Sequence, residues 1–547
     1  MSATTNDNNN NDKNRPPSER KMKALDIVSS RSLGSLASVQ ETFAKGRKQR
    51  LTGRVVFAVF VGAIAGILFG FDQNIFNMII SEPDFRESMG MPQAVNACET
   101  EGAKEPAWVA TQLGFIMSLY PLGCAFAAPF AGAINDRFGR YKTLWMGMVI
   151  FFVGATLQTA ANGYEMLMVG RLIAGASIGV LSSVVPVYIA ELAPHHLRGG
   201  LGTMFQLGIT FGAVFSSIWC YILQAAVHVD YTWRLEAGFQ LIIGLAMALS
   251  MCFIPESPRW LVKSGQKDKA RTVLSKLRSE GEEEVTDAEF REIESEVELE
   301  KTYTAGVKDL FTKEVRLATT VALMIPIMQQ FTGVNVLMGY SASIFDGMCM
   351  NGNLFTVCNN IVNFLTTWSA IYFTDKVGRK KSLIGTSLFI FLIWITGCSV
   401  MWSMDVNNNV PGGIAIATLT SIFTATFATA WGPNGWIIPN EVLPLRLRGK
   451  GSGFATFNNF FFNFVVSFTS PIAINSSMGF AGNMMLYACL MLVSAPILYF
   501  MMPETKGVPL EEMEAKFNKP LKEYIKANAT DLRKRKVADH PEGEAKV

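Results

Sequence analysis

The chain has 547 residues, of which 50% are hydrophobic and 17% charged, with a mean hydropathy of +0.25. Soluble globular domains carry about 25% charged residues, so the composition excludes an ordinary soluble, disordered or collagen-like chain and fits one dissolved in lipid. A net charge of +3 gives no reason to expect nucleic acid, and eight scattered cysteines without CxxC or paired Cys/His spacing argue against a disulfide scaffold and suggest no metal site. In chain order, residues 1–54 form a polar tail rich in Asn, Ser, Lys and Arg, with no signal peptide. Apolar spans follow near 55–80, 108–133, 143–161, 165–189, 201–223, 236–254, 317–341, 356–374, 382–402, 412–438, 452–473 and 482–501. Twelve helices of ~20 residues use only ~240 residues. The 263–301 stretch, dense in Glu, Lys and Arg, reads as short, charged, solvated helices. Expected divisions are a disordered cytoplasmic tail (1–54), a six-helix half (55–254), a linker (255–315), a second six-helix half (316–502) and a cytoplasmic tail (503–547).

Lys and Arg sort to one set of loops, including Arg137, Arg140, Lys142, Arg198, Arg379, Lys380, Lys381, Arg446, Arg448 and Lys450. The opposite loops, such as 82–105 and 405–409, are acidic or neutral. The positive-inside rule then puts both termini in the cytoplasm, which an even span count allows. Cys98 and Cys349 both fall on the outer side. Sequence leaves their pairing open, and free thiols are the reading taken. His195 and His196 read as surface residues of a cytoplasmic turn.

The basic turns repeat. Asp136, Arg137, Gly139 and Arg140 after span two match Asp375, Lys376, Gly378 and Arg379 after span eight, at an offset of 239 residues (375 − 136). Glu191, Pro194 and Arg198 after span four match Glu441, Pro444 and Arg448 after span ten, offset by 250 (441 − 191). Two six-helix halves in the same orientation explain both matches, and parallel halves with a site between them are a transporter architecture. Asp136, Arg137, Arg140, Glu191, Arg198, Asp375, Arg379, Glu441 and Arg448 are therefore expected to form a cytoplasmic gate that latches the halves. Generic helix capping and topology signalling weigh equally for any single residue.

Polar groups inside spans are costly unless paired or facing water. Span seven holds Gln329, Gln330 and Asn335. On an unbroken helix Gln330 and Asn335 would point ~140° apart, but Gly333 permits a break that turns both to one cavity. Span ten has a matching interruption over Trp431, Gly432, Pro433, Asn434 and Gly435, and broken helices mark binding sites in carriers. Amide side chains both donate and accept hydrogen bonds, and aromatic faces take C–H groups. Interhelical bonding is the competing role for these amides. Asp72 in span one is a carboxylate at mid-membrane depth, and Arg171 of span four is its expected partner. The pair suggests a proton switch, with a static ion pair as the alternative. Gly62, Gly66 and Gly70 are expected to serve close helix packing.

Together, Gly132 to Arg140, Gly170-Arg171, Pro186 to Glu191 (PVYIAE), Pro255 to Arg259 (PESPR), Gln329 to Asn335 (QQFTGVN) and Pro503 to Gly507 (PETKG) resemble the signature set of the sugar porters. These are the glucose-transporter-like branch of the major facilitator superfamily, and the match runs from about residue 55 to 510. The Asn-rich, charged tails are similar to fungal hexose transporters. The resemblance implies an all-α membrane fold of twelve helices in two parallel halves. It implies further substrate liners at Gln206, Asn363, Trp436, Asn459, Asn463 and Phe69. It also implies departures: Gly339 stands where many relatives have Tyr, Phe460 where some have Trp, and Ala428 where mammalian relatives have Glu. Proton-coupled sugar porters carry Asp at the position of Asp72 and mammalian uniporters carry Asn, although some fungal facilitators also have Asp.

The expected function is transport of a monosaccharide, a hexose by preference, at the plasma membrane by alternating access with proton symport. Alternatives are a facilitative uniporter, a carrier of polyols, inositol or disaccharides, and a sensor that binds without transport. The short C-terminal tail disfavours the sensor. No enzyme motif and no cofactor is expected. The partners are the sugar, the proton and the lipid bilayer.

Overall fold

The computed structural model describes residues 51–94, 105–194, 197–278 (228 and 230 excepted), 283–302, 306–403, 410–506 and parts of 508–528. Among these the regular structure is helical. The spans are, in order, Gly53–Ile79, Ala107–Phe138, Arg140–Thr159, Tyr164–Leu192, Arg198–Ala226, Thr232–Met251, the pair Arg316–Gln330 and Val334–Asp346, Gly352–Val377, Arg379–Ser403, the run Val410–Thr426 to Gly432–Val442, Leu445–Asn475 and Gly479–Met501. They are numbered one to twelve below. Ten segments are long and apolar enough to cross a membrane by hydropathy. Spans three and eight are the other two. Span eight carries Asn353, Asn359, Asn360 and Asn363 on a helix whose partners are other helices, so its low hydropathy reflects an inward-facing polar stripe.

Close approach of backbones sets the packing. A Cβ at Gly66 would meet the Phe205 carbonyl, and one at Gly70 the Ile209 carbonyl, so span one lies directly on span five. Gly62 faces the Ile189 side chain of span four. Small residues allow this in a medium where van der Waals contact and polar bonds replace the hydrophobic drive. Span two packs on span four within the first half and on span eleven of the second; span five packs on span eight. These two pairs join the halves.

The repeat is visible in the backbone. Gly139 (φ 91°) and Gly378 (φ 94°) occupy the same left-handed turn, one between spans two and three and the other between spans eight and nine. Only glycine takes that conformation without strain.

Among the described residues, 51–56, 256–278 and 283–302 form a separate compact unit. Its helices are Pro258–Lys263, Lys267–Leu277 and Glu283–Thr302. Ser257 caps the first by accepting from the Trp260 N–H at 3.4 Å. The stretch is more than a solvated connector. Leu261, Val262, Ala270, Leu274, Ile293 and Val297 build a small core, and a buried Arg278–Glu289 pair (2.6 Å) locks its last two helices. Charge density hid this because the apolar positions are few and spread over three helices.

Cys349 is disulfide-bonded, which corrects the free-thiol expectation for that residue. Cys124, Cys220, Cys252, Cys358, Cys398 and Cys489 are free. Cys98, His195 and His196 lie outside the described residues.

Candidate substrate site and charge pair

Two interrupted helices frame the site. Span seven ends its first piece at Gln330 and resumes at Val334, with Gly333 left-handed (φ 85°) between them. The freed Thr332 carbonyl accepts from Trp394 Nε1 at 2.9 Å. In span ten a π-helical turn over Phe427–Trp431 interrupts the α-helix. Such turns strand backbone carbonyls, and Gln329 Nε2 satisfies two of them, donating to Trp431 O (2.6 Å) and Gly432 O (3.1 Å).

The break brings Asn335 Nδ2 onto Gln330 Oε1. Gln330 Nε2 donates to Asn459 Oδ1 at 3.0 Å, and Asn459 Nδ2 donates to Gln329 Oε1 at 2.6 Å. Four of the expected liners, from spans seven and eleven, thus form one buried amide cluster. Gln329 is engaged at both ends within the protein, so in this conformation it holds the span-ten bulge. Asn463 Oδ1 accepts from Ser467 Oγ one turn further along span eleven (3.0 Å).

Beside the cluster lies a cavity of about 450 Å³, counting the part open to solvent. Gln206 and Asn363 are on its wall, with Gln73, Asn74, Thr210 and Thr367 as further polar liners. Gly432, whose carbonyl Gln329 holds, also lines it, so the cavity and the cluster meet at span ten. Asn363 is 2% exposed, and its Nδ2 has no hydrogen-bond partner. A buried amide donor without a partner is costly, and this one belongs to a residue of the cavity wall. Sequence reading missed Gln73, Asn74 and Asn360. Asn360 donates to Asn74 Oδ1 across the halves at 3.3 Å. The signal was available: Asn360, Asn363 and Thr367 share one helical face.

The remaining expected liners make an aromatic group. Phe69 and Phe460 stand 6.0 Å apart, and Phe460 and the half-buried Trp436 5.8 Å apart. Phe69 also faces Tyr120 at 6.4 Å. Of the departures, Ala428 is on the cavity wall and Phe460 is the middle ring of this group. Gly339 faces the end of the Met117 side chain.

Asp72 and Arg171 meet in the first half. Arg171 Nη1 is 3.2 Å from Asp72 Oδ1, and the two side chains are 0% and 1% exposed. Arg171 Nη1 also donates to the Asp72 carbonyl (3.1 Å), and Nε to the Ile116 carbonyl (2.9 Å). The guanidinium lies over the rings of Phe76 (4.4 Å) and Tyr120 (4.8 Å). Asp72 Oδ2 has no hydrogen bond of regular geometry, with Gln158 as its neighbouring amide. The cation is therefore held on several sides and the carboxylate on one.

At the basic end, Arg140 grips Glu191 through two bonds (2.6 and 2.8 Å) and lies 3.9 Å from Asp136. The repeat gives Arg379–Glu441 at 3.1 Å. Glu504 accepts from the Arg379 and Lys380 backbone N–H groups at the start of span nine (3.0 and 3.3 Å). These bonds run within a half, not between halves. Arg137 lies over Phe138, and Arg448 is half-buried. The side chains of Arg198 and Asp375 lie outside the described residues.

Bonds between halves gather at the opposite, far end. Asn77 Nδ2 donates to Ser341 Oγ (2.8 Å), the Ala342 N–H donates to Asn77 Oδ1 (3.3 Å), Ser81 and Ser343 hydroxyls meet at 2.9 Å, and Asn353 Nδ2 donates to Gln224 Oε1 (2.6 Å). The far end is tied shut.

Two repeated six-helix halves, broken helices seven and ten, and a polar cavity between the halves define a multi-pass membrane carrier of the major facilitator fold. Residues 58–517 match the family model described as sugar (and other) transporter, and the chain belongs to that family, one of transporters and not of enzymes. It is 33% identical over 478 residues to sugar transport protein 11 of Arabidopsis thaliana, covering 85% of this chain and 91% of that one. It is 30% identical over 481 residues to H(+)/hexose cotransporter 2 of Parachlorella kessleri (85% and 87%), and 32% identical over 486 residues to high-affinity glucose transporter 1 of Candida albicans (84% and 85%). In fold it is similar to the xylose transporter XylE from E. coli in a partially occluded inward-open conformation, with TM-score 0.69, 23% identity, and coverage of 84% and 100%.

Proposed function

We propose that the protein is a proton-coupled hexose carrier of the plasma membrane, with both termini in the cytoplasm and the far end facing outward. The observation that carries the reading is a cavity walled by amide and hydroxyl side chains of both halves, Gln206 and Asn363 among them. A monosaccharide is a small neutral ligand rich in hydroxyls, and amides that donate and accept are its natural partners. Gln206 and Asn363 bind hydroxyls directly. The cluster of Gln330, Asn335, Asn459 and, next to them, Asn463 exchanges some of its mutual bonds for bonds to sugar. Gln329 positions the span-ten backbone. Phe69, Phe460 and Trp436 offer the C–H face a platform. Names of the relatives support a hexose and, for the Parachlorella kessleri protein, a proton as cosubstrate.

Asp72 is the coupling carboxylate. Protonation removes its claim on Arg171, which keeps its carbonyl and ring contacts, so the neutral acid lets the halves rock and the charged one holds them. The basic-end residues Asp136, Arg137, Arg140, Glu191, Arg198, Asp375, Arg379, Glu441 and Arg448 engage across the halves when the far end opens. Uptake of a labelled sugar panel by transport-deficient cells, with external pH recorded, tests the reading. Hexose uptake with alkalinisation supports it. Binding without uptake, or uptake confined to polyols, inositol or disaccharides, overturns it.

A further inference from the structure

Two acids share one buried pocket at the far end. Glu82 follows span one and is 8% exposed; Glu236, one turn into span six, is fully buried. Glu236 lies against Glu82, the Cys220 thiol and Gln224 of span five. Neither of its oxygens has a hydrogen bond of regular geometry. No cation offsets the two acids among the described residues acting on them. Asp84, on the short helix after Glu82, adds a like charge. Arg86, on that same helix, is committed to the Ile80 and Pro92 carbonyls and to Glu105. Arg234 of span six is committed to the Ala161 carbonyl, Asn162 and the face of Trp233. Span eight contributes neutral Asn353. Two carboxylates so placed cannot both stay charged, and the pair retains a proton. Burial, with Asp84 adding to it, pushes the Glu82 carboxyl above its usual range.

The pair is one residue from the closure. Gln224 Nε2 donates to Glu82 Oε1, and Gln224 Oε1 accepts from Asn353 Nδ2 of the other half at 2.6 Å.

We propose that Glu82 and Glu236 form a second proton-binding site, separate from Asp72, and that the proton they share holds the far end of the two halves closed. While closed, the proton sits between a carboxyl oxygen of one acid and a carboxylate oxygen of the other. When the Gln224–Asn353 bond breaks, water enters, the acids are solvated, and the proton passes to water on that same side. It is therefore a gating proton. It does not cross the membrane, and the ratio of protons to sugar is unchanged. The closed state binds the proton more tightly than the open one, so low pH favours closure, and closure is lost as pH rises through the pair's titration. This rests on the alternating-access reading but not on the identity of the sugar.

The test is a distance measurement between nitroxide labels at Gln93→Cys and Leu354→Cys, exposed far-end positions in opposite halves. It uses the full chain in lipid nanodiscs, with the exposed thiols Cys252, Cys358 and Cys489 replaced by Ser and Asp72→Asn silencing the central carboxyl. Between pH ~5 and ~8.5 the ratio of short to long distances should fall, by at most about tenfold per pH unit for one proton. Adding Glu236→Gln, or separately Glu82→Gln, should flatten that dependence while both distances remain visible. A slope that survives both variants, or a parent with two distances and no slope, overturns the proposal alone. A single distance at every pH, with and without sugar, overturns alternating access as well.

Discussion

Asp72→Asn removes the charge and keeps the shape. Asn Oδ1 can still accept from Arg171 at the 3.2 Å position of the carboxylate oxygen. Arg171 keeps the Ile116 and Asp72 carbonyls and the faces of Phe76 and Tyr120. Stripping a buried cation of its only partner costs roughly 3–5 kcal/mol, and these retained contacts keep the variant well short of that, so it should fold and reach the membrane. What it loses is work. One pH unit supplies ~1.4 kcal/mol and 100 mV supplies ~2.3 kcal/mol per charge, together enough for roughly 500-fold accumulation at one proton per sugar. In proteoliposomes under those gradients the wild type should accumulate hexose toward that limit. Asp72→Asn should stop at equal concentrations while still exchanging labelled for unlabelled sugar. Undiminished accumulation, or unchanged sugar-driven alkalinisation, would refute the switch.

Asn363→Ala deletes an amide of the cavity wall. Hexose affinity should weaken by roughly 5- to 10-fold, the worth of a neutral hydrogen bond of about 1–1.4 kcal/mol, with surface expression unchanged; isothermal binding on purified protein reads this. Gly333→Ala forces a Cβ into the left-handed region and to 2.8 Å from the Tyr487 ring, and should lower the melting temperature by more than Gly132→Ala, where a Cβ meets open space. Glu191→Gln takes from the Arg140 guanidinium, 8% exposed, the carboxylate that holds it by two bonds and leaves Asp136 at 3.9 Å. A thermal melt should show destabilisation on the scale of a few kcal/mol, larger than for neutralising Arg271, whose side chain is 62% exposed in its pair with Asp287.

The spans were legible because membrane thickness fixes the length of an apolar run. Their ends were not. Span eleven runs Leu445–Asn475, because Arg446, Arg448 and Lys450 continue the helix past the apolar run. The span-seven break was readable from Gly333. The π-turn of span ten was only half readable: Gly432 and Pro433 mark a weak point, but its form depends on Gln329 arriving from another helix to serve two carbonyls. The same holds at the far end. Asn77, Ser341, Gln224 and Asn353 look like ordinary span-end polar residues, and only the fold brings them together across 264 and 129 positions of chain. The basic turns illustrate the reverse. Their spacing revealed the repeat, yet charge alone could not say that Arg140–Glu191 and Arg379–Glu441 close within each half.

The most direct measurement is a structure of the full chain in lipid with D-glucose bound. The account predicts a hexose between spans one, five, seven, eight and ten, with a hydroxyl oxygen within hydrogen-bond distance of Asn363 Nδ2 and another at Gln206. A hexose bound elsewhere, touching neither Asn363 nor Gln206, would contradict it.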